Sequence, residues 1–210
     1  LICSDFSVLT TCLEPKFIYG DQKLYTRWYN DLLTCFNRRQ KRHFLEMVYQ
    51  ARGKRGEQLE KSIYLLEPNI KEGLGGLRDL HVLRWCGMVF EHHSSPDRLR
   101  DMGYIDEREH QWLEQAQDFL WRVRLQLHGL TPRRQEQLVM QFQPEMATRL
   151  GFEDNQNSGR AVEGFMRSYY RYTARVRRVT DFVLEKLDLE FLSANRPRRQ
   201  RVIPGPFVLD

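Results

Sequence analysis

Residues 66–85 read LEPNIKEGLGGLRDLHVLRW and join a glycine-rich segment to the first turns of an apolar helix. Between Leu77 and Glu91, apolar residues occupy nearly the whole circumference of that helix: Leu77, Leu80, Val82, Leu83, Trp85, Met88, Val89 and Phe90. A helix that is apolar all round is buried among other elements. The stretch therefore predicts a central helix over 77–91 and an all-α fold, a helical bundle packed around it.

Two long amphipathic segments supply neighbours for the central helix. Asp106 and Glu109 have the spacing of a capping box, in which each side chain satisfies a free backbone N–H of the first turn. The helix that follows has one apolar face, formed by Trp112, Ala116, Phe119, Leu120, Val123, Leu127 and Leu130. The last helix has apolar residues three and four apart, a packing seam for a bundle: Val162, Phe165, Tyr169, Tyr172, Val176, Val179 and Val183.

The other predicted helices are shorter or less regular. Asp21 can cap a helix that runs as far as Leu32. Residues 37–61 are strongly basic and are expected to be helical. A further short helix is expected after Pro144, because proline suits the first turn of a helix.

Short extended segments are expected near the N-terminus and around residues 62–70. In the second of these, Pro68 disfavours helical geometry at Glu67. Beyond the bundle, residues 193–210 are rich in proline and arginine, which is typical of a linker towards a further domain.

Composition limits the class of protein. Of the 210 residues, 41% are hydrophobic and 29% are charged, which suits a globular domain with its own core. No apolar run approaches the roughly 18 residues that a membrane helix needs, so no membrane partner is expected. The four cysteines are scattered without a C-x-x-C pair, which excludes a zinc ribbon and indicates reduced thiols in the cytoplasm. The net charge of +5 is compatible with ligands that carry phosphate.

The glycine-rich segment before the central helix is the first candidate site. Glycines let backbone N–H groups approach a ligand closely, or they adopt a positive φ, and a helix N-terminus favours an anion. The expected nucleotide or phosphate-binding residues are Lys71, Gly75, Gly76 and Arg78, with Glu72 and Asp79 supporting the motif. The pattern alone favours an alternative: Asp79 itself satisfies the free N–H groups, and Lys71 or Arg78 simply pairs with it.

The second candidate is a stripe of cations on the last helix, formed by Arg167, Arg171, Arg175 and Arg178. Such a stripe could hold a triphosphate or an acidic partner. It could equally be a solvated face, in which each surface ion pair contributes little.

Two smaller features have structural interpretations. Asp118 and Arg122 are four residues apart and are expected to form an ordinary helical ion pair. Trp85, Trp112 and Trp121 lie in apolar helices and are expected in the core.

Several segments resemble bacterial PII uridylyltransferases, the bifunctional uridylyltransferase/uridylyl-removing enzymes of nitrogen regulation. LEPNIKEGLGGLRDLHVLRW is similar to a signature segment of that family. In the same order along the chain, LEPKFIYGD, GYIDEREHQWL, DFLWRVRLQLH and AVEGFMRSYYR resemble other family segments. The resemblance spans roughly residues 4–183.

The resemblance implies that the chain is one part of a larger transferase. In that family a polymerase β-type nucleotidyltransferase domain precedes the helical region and uses carboxylates, magnesium and UTP to modify a PII signal protein. Residues 1–20 resemble the tail of that domain, and residues 21–192 resemble the helical bundle after it. The chain shows neither the Gly-Ser and Asp-x-Asp pairs of the catalytic domain nor the His-Asp metal motif of the uridylyl-removing domain. We therefore expect no catalytic residue and no metal site in this chain, and no activity from it alone.

Two other functions remain open at this stage. The basic segment 37–61 and the RPRRQR tail could belong to a nucleic-acid-binding helical domain, although the chain has no helix-turn-helix signature. The chain could also be a regulatory adaptor with no ligand of its own.

Overall fold

The computed structural model describes residues 5–60, 66–91, 98–131, 134–154 and 160–191. Within these ranges the chain forms eight α-helices and no β-strand. The helices are α1 (Phe6–Leu13), α2 (Gln22–Thr34), α3 (Arg38–Glu60), α4 (Leu77–Glu91), α5 (Arg98–Asp101), α6 (Glu107–Leu130), α7 (Gln143–Arg149) and α8 (Ala161–Phe191). A 3-10 turn, Met140–Phe142, leads into α7. The all-α bundle predicted from the sequence is confirmed.

Helix α4 has the bounds that its apolar pattern predicts, and it joins the two halves of the core. Leu77 and Leu80 pack in one hydrophobic cluster with α6, α7 and the first half of α8. Residues 82–90 pack in a second cluster with α1, α3 and the second half of α8. Helices α4 and α8 therefore cross both clusters and form the axis of the bundle.

The helix starts follow the capping chemistry read from the sequence. The Asp21 carboxylate accepts hydrogen bonds from the N–H groups of Lys23 and Leu24 and caps α2. Asp106 and Glu109 form the predicted capping box of α6. Capping satisfies N–H groups that have no partner within the helix.

Three local expectations need correction. The segment near the N-terminus is not extended over Phe6–Leu13, because Asp5 caps a helix there by accepting from the N–H groups of Ser7 and Val8. In the segment 62–70, residues 61–65 lie outside the described ranges, and residues 66–70 form turns with one antiparallel bridge between Asn69 and Gln137. Trp121 is exposed rather than in the core.

Other expectations are confirmed at the level of side chains. Trp85 is buried, and most residues of the α8 seam face the core. Arg122 Nε lies 3.0 Å from Asp118 Oδ2, as expected for an ion pair four residues apart on an exposed face.

The proposed linker 193–210 lies outside the described residues. None of the described helices combines the length and apolar character needed to cross a membrane.

The core prediction can be tested on two leucines of α6. Leu120 is fully buried and Leu125 is 64% exposed. Leu120→Ala should lower the free energy of unfolding by about 2–5 kcal/mol, because it removes buried apolar surface and leaves a cavity. Leu125→Ala, the matched control, should change it by less than about 0.5 kcal/mol. Urea unfolding followed by circular dichroism measures both, and equal effects would contradict the packing described here.

Candidate functional site

The glycine-rich segment is a compact loop organised by Asn69. The Asn69 side-chain oxygen accepts hydrogen bonds from the N–H groups of Lys71, at 3.0 Å, and Glu72, at 2.7 Å. Its backbone carbonyl accepts from the Gly73 N–H at 3.0 Å. Asparagine often organises turns in this way because its short side chain reaches backbone N–H groups two or three residues ahead. The loop therefore has a defined shape before the helix begins.

The glycines allow the loop backbone to lie against other backbone. Gly75 has a φ of +77°, and a Cβ atom there would lie 1.9 Å from the Thr173 carbonyl oxygen on α8. A Cβ atom on Gly76 would lie 2.5 Å from the Ile70 carbonyl oxygen. The sequence pattern indicated close approach of a ligand, but the groups in close approach are α8 and the loop itself.

The N–H groups at the start of α4 are already hydrogen-bonded. Gly76 donates to Gly73 O at 2.9 Å, Leu77 donates to Ile70 O at 3.0 Å, and Arg78 donates to Lys71 O at 2.9 Å. The Gly75 N–H donates to the Asp79 carboxylate at 2.9 Å. The amides that the sequence offered to an anion thus have partners inside the fold, and any anion bound here must use side chains.

Asp79 is the electrostatic centre of the loop. Its carboxylate is completely buried, and Arg52 and Arg55 of α3 approach it to 2.9 Å. Burial alone would raise the pKa of this carboxyl, but the hydrogen bonds and charge of Arg52, the Gly75 N–H and the charge of Arg55 hold the pKa below its ordinary value. The carboxylate is therefore ionised at neutral pH.

These partners differ from those considered from the sequence, where Lys71 or Arg78 was the candidate. Arg52 and Arg55 are three residues apart in the basic segment 37–61 and so share one face of a helix. From the sequence, this spacing could have indicated that the two arginines act together. It does not show which carboxylate they pair with. Arg52 also forms an ion pair with Asp181, so it links α3, α4 and α8. Both arginines point into the bundle, which removes them from any surface for nucleic acid.

Lys71, Glu72 and Arg78 form a separate, partly exposed group at the rim of the loop. Arg78 Nη2 lies 3.0 Å from Glu72 Oε1, and Lys71 Nζ lies 3.8 Å from the same oxygen. The Arg78 guanidinium also lies 5.7 Å from the centre of the Trp85 ring. At the rim, therefore, one carboxylate forms ion pairs with two cations.

A cleft of about 310 Å³ opens beside this group. Its walls come from α1, α3, α4 and the loop, and its charged lining residues are Arg55, Glu72 and Arg78. Lys71 is not among the lining residues. The cleft brings together Arg78, which the sequence analysis predicted, and Arg55, which it missed.

The arginine stripe lies on α8. Arg175 and Arg171 lie 4.3 Å and 5.8 Å from the centre of the Trp112 ring, so both guanidiniums stack near one aromatic side chain. Arg167 and Arg178 are exposed. Over the described ranges none of the four forms an ion pair with a carboxylate. The stripe is a real feature of the surface, with part of its charge held against Trp112.

The described residues contain no cluster of three or more histidine, cysteine, aspartate or glutamate side chains placed to hold a metal ion.

The family model of GlnD PII-uridylyltransferase matches residues 43–184, which include α4, α6 and about three quarters of α8. The chain belongs to this family. The match covers the glycine-rich loop with its rim, and it covers Arg52 and Arg55, which pair with Asp79. The family resemblance suggested by the sequence segments is therefore confirmed.

Curated relatives agree with the family match. The chain is 34% identical to the bifunctional uridylyltransferase/uridylyl-removing enzyme of Novosphingobium aromaticivorans, over 99% of this chain and 23% of the relative. It is 35% identical to the enzyme of the same name from Cereibacter sphaeroides, over 97% of this chain and 21% of the relative. The chain thus spans less than a quarter of the length of these relatives. No solved structure matches it.

The close approach at Gly75 predicts a large difference between two glycines. Gly75→Ala should lower the free energy of unfolding by about 3 kcal/mol or more, because its φ is positive and the new methyl group meets Thr173 O. Gly53→Ala is the control: Gly53 lies in α3 with open space around it, and alanine should stabilise the protein by about 0.5–1 kcal/mol. Similar losses for the two variants in thermal unfolding would contradict this account of the loop.

The burial of Asp79 between Arg52 and Arg55 predicts a second difference in stability between two variants. Asp79→Ala should lower the free energy of unfolding by about 3–5 kcal/mol, because it leaves Arg52 and Arg55 buried without their anion. Asp118→Ala removes an exposed partner of Arg122 and should cost less than about 1 kcal/mol. Urea titration at pH 7 measures both values.

The same ion pairs make the free energy of unfolding depend on pH. The folded-state pKa of Asp79 lies below its ordinary value, so its stabilising contribution is complete above the ordinary value of about 3.9 and is lost as the pH falls through the folded pKa. The difference in free energy of unfolding between the natural protein and Asp79→Asn should therefore narrow as the pH is lowered below about 4. A difference that stays constant down to acid unfolding would count against an ionised Asp79.

Proposed function

We propose that this chain is the helical region of a PII-type uridylyltransferase and that it helps the nucleotidyltransferase domain of that enzyme to hold its nucleotide. The observation that carries this proposal is the family match across the loop and the bundle. In the complete enzyme, UTP and magnesium would react in the nucleotidyltransferase domain, and the acceptor would be a PII-like signal protein in the cytoplasm. This chain supplies positive charge and a rigid surface rather than reacting groups.

The side chains of Lys71 and Arg78 are the proposed contacts to nucleotide phosphate. Both extend from the rim of the loop, and Arg78 lines the cleft beneath α1. Glu72, whose side chain is 39% exposed, forms an ion pair with each of them, and the charge of Glu136 also acts on Lys71. Phosphate could share these cations with Glu72 or replace it. Gly75 and Gly76 contribute indirectly, since they fix the shape of the loop that presents the two cations.

The rigidity of the loop supports this role. Arg55 is held by Asp79 and also approaches the Glu72 carbonyl oxygen at 3.4 Å, so the base of the loop is tied to α3. Placing charged groups on a rigid support lowers the entropic cost of binding a nucleotide. This arrangement separates two functions within one segment: Asp79 maintains the fold, and Lys71 and Arg78 remain available to a ligand.

The test compares two properties in the full-length enzyme that contains this chain. A charge-assisted contact contributes about 1.5–3 kcal/mol, so Lys71→Ala or Arg78→Ala should raise the dissociation constant for UTP by roughly tenfold or more. The melting temperature should change little, because the Arg78–Glu72 pair is partly exposed. Arg122→Ala removes a comparable surface ion pair on α6 and should leave UTP affinity unchanged.

Two outcomes would reject the proposal. Lower melting temperatures with unchanged UTP affinity would show that Lys71 and Arg78 serve only the fold. Uridylyl transfer to PII by the isolated 210-residue chain, measured with labelled UTP, would show that the chain carries reacting groups of its own.

A further inference from the structure

The arginine stripe of α8 is a long, exposed row of positive charge. Arg167, Arg171, Arg175 and Arg178 follow one another at intervals of three or four residues, so their side chains lie along one side of the helix. At about 1.5 Å of rise per residue, the stripe extends over roughly 16 Å of the helix axis. All of its members except Arg175 are exposed.

The acidic residues nearest to the stripe along α8 do not pair with it. Arginines one helical turn apart repel each other, so carboxylates at the same spacing would be favourable. Asp181, beyond the C-terminal end of the stripe, instead pairs with Arg52 and Arg177. Glu163, one turn before Arg167, forms no ion pair with it over the described ranges. The four guanidiniums therefore have no carboxylate partner within the part of the chain that the structure describes.

Trp112 of α6 fixes the middle of the stripe. The guanidinium carbon of Arg175 lies 4.3 Å from the centre of the Trp112 ring, and that of Arg171 lies 5.8 Å from it. Arg175 Nε is buried and has no hydrogen-bond partner among the described residues. Attraction to the ring holds the guanidinium but supplies no counter-ion. A carboxylate in front of these two arginines would form the charge-assisted hydrogen bonds that the fold itself does not supply.

The side of α8 that carries the stripe is not the side that meets the glycine-rich loop. Gly75 lies against the backbone of Thr173, whose side chain is buried. Arg171 and Thr173 are two residues apart, which places them about 200° from each other around the helix axis. A nucleotide held at the loop by Lys71 and Arg78 therefore leaves the stripe free for a different partner.

Aromatic side chains beside the stripe indicate the kind of partner. Tyr170 directly precedes Arg171 and is 40% exposed, and Phe182, one turn after Arg178, is 45% exposed. Arginine and aromatic residues are enriched in protein–protein interfaces and carry much of their binding energy. Small-molecule sites are concave, whereas this is the outer side of a helix. The composition therefore favours a protein segment that carries carboxylates.

The exposure of the charges favours a partner that binds and leaves. Permanent interfaces are more apolar than transient ones, because they are never exposed to water after assembly. A row of charge instead attracts an oppositely charged protein from a distance and raises its rate of association. In the proposed reaction the acceptor protein is such a partner, since it must arrive, receive the uridylyl group and depart.

We propose that the arginine stripe, together with Trp112, Tyr170 and Phe182, is the docking surface for an acidic segment of the acceptor protein. This inference rests on the proposed function, because the acceptor protein is taken from there. Carboxylates of the acceptor pair with the guanidiniums, and the neighbouring rings cover apolar parts of the same segment. The bundle then holds both substrates of the transfer, the nucleotide at the loop and the protein on α8.

Kinetics of the full-length enzyme test the docking. Arg171→Ala with Arg178→Ala should raise the KM for the acceptor protein by roughly tenfold or more, because two attractive charges are lost. The kcat and the KM for UTP should not change, since neither residue lies on the side of α8 that meets the loop. Arg171→Lys with Arg178→Lys keeps both charges, and its KM for the acceptor should stay within about threefold of the natural value.

A matched control removes the same charge elsewhere. Arg27 on α2 and Arg39 on α3 are exposed, and Arg27→Ala with Arg39→Ala should leave the KM for the acceptor unchanged. Salt supplies a second comparison. Above an ionic strength of about 0.15 M the KM of the natural enzyme for the acceptor should rise, because salt screens exposed charges. The KM of the alanine variant of the stripe should rise much less. Melting temperatures should be the same for all variants, because these are exposed positions.

Four results would overturn the docking. The first is an unchanged KM for the acceptor in the alanine variant of the stripe, and the second is an equal loss in the alanine and lysine variants. Weaker UTP binding with unchanged acceptor affinity would assign the stripe to a triphosphate. Duplex DNA binding that is lost in the alanine variant, again with unchanged acceptor affinity, would assign it to nucleic acid.

The proposed function is scored separately, on the UTP affinity of Lys71→Ala and Arg78→Ala. Unchanged UTP affinity in those variants, with a raised KM for the acceptor in the stripe variant, rejects the nucleotide contacts and supports the docking. Reduced UTP affinity with no effect of the stripe variant rejects only the docking. Absence of any transfer to the acceptor by the natural full-length enzyme rejects both.

Discussion

A single buried anion organises the centre of this bundle. Asp79 has no contact with solvent, and burying a carboxylate costs several kcal/mol unless other groups compensate it. Here Arg52, Arg55 and the Gly75 N–H supply that compensation from α3 and from the loop. Because Arg52 also reaches Asp181, three helices meet at one charge network. Apolar packing brings α3, α4 and α8 together, and this network gives the buried Asp79 two cationic partners.

The shape of the glycine loop follows from that arrangement. With Asp79 holding its N–H, Gly75 lies against the backbone of α8, where only glycine fits. The amides that commonly bind anions at a helix start are then occupied by Ile70, Lys71 and Gly73 carbonyls. What the loop offers outward is therefore its side chains. One short segment can therefore stabilise the fold and still leave the side chains of Lys71 and Arg78 partly exposed at its rim.

The outer surfaces of the bundle are chemically different from one another. The α8 stripe exposes arginines stacked on Trp112, whereas the connection before α2 exposes aromatic and aliphatic side chains with open backbone. On the first surface, the exposed side chains of Arg167, Arg171 and Arg178 keep their charges in water. The exposed apolar side chains before α2 are less favourable in water, since exposed apolar area costs roughly 25 cal/mol per Å².

The sequence by itself determined the helical class, the bounds of α4, the capped starts of α2 and α6, and the family. Each of these depends on local information: apolar periodicity, a capping residue, or a contiguous motif. It also placed Lys71, Glu72, Gly75, Gly76, Arg78 and Asp79 in one candidate site. Only the tertiary structure decided their roles, because Arg52 and Arg55 are more than twenty residues from Asp79 and Thr173 is nearly a hundred from Gly75. Such pairings depend on how α3 and α8 pack against α4, and no local pattern encodes that geometry. The exposure of Ile18, Tyr19 and Trp121 could not be predicted for the same reason. The residue type alone does not show whether the folded chain buries an apolar side chain.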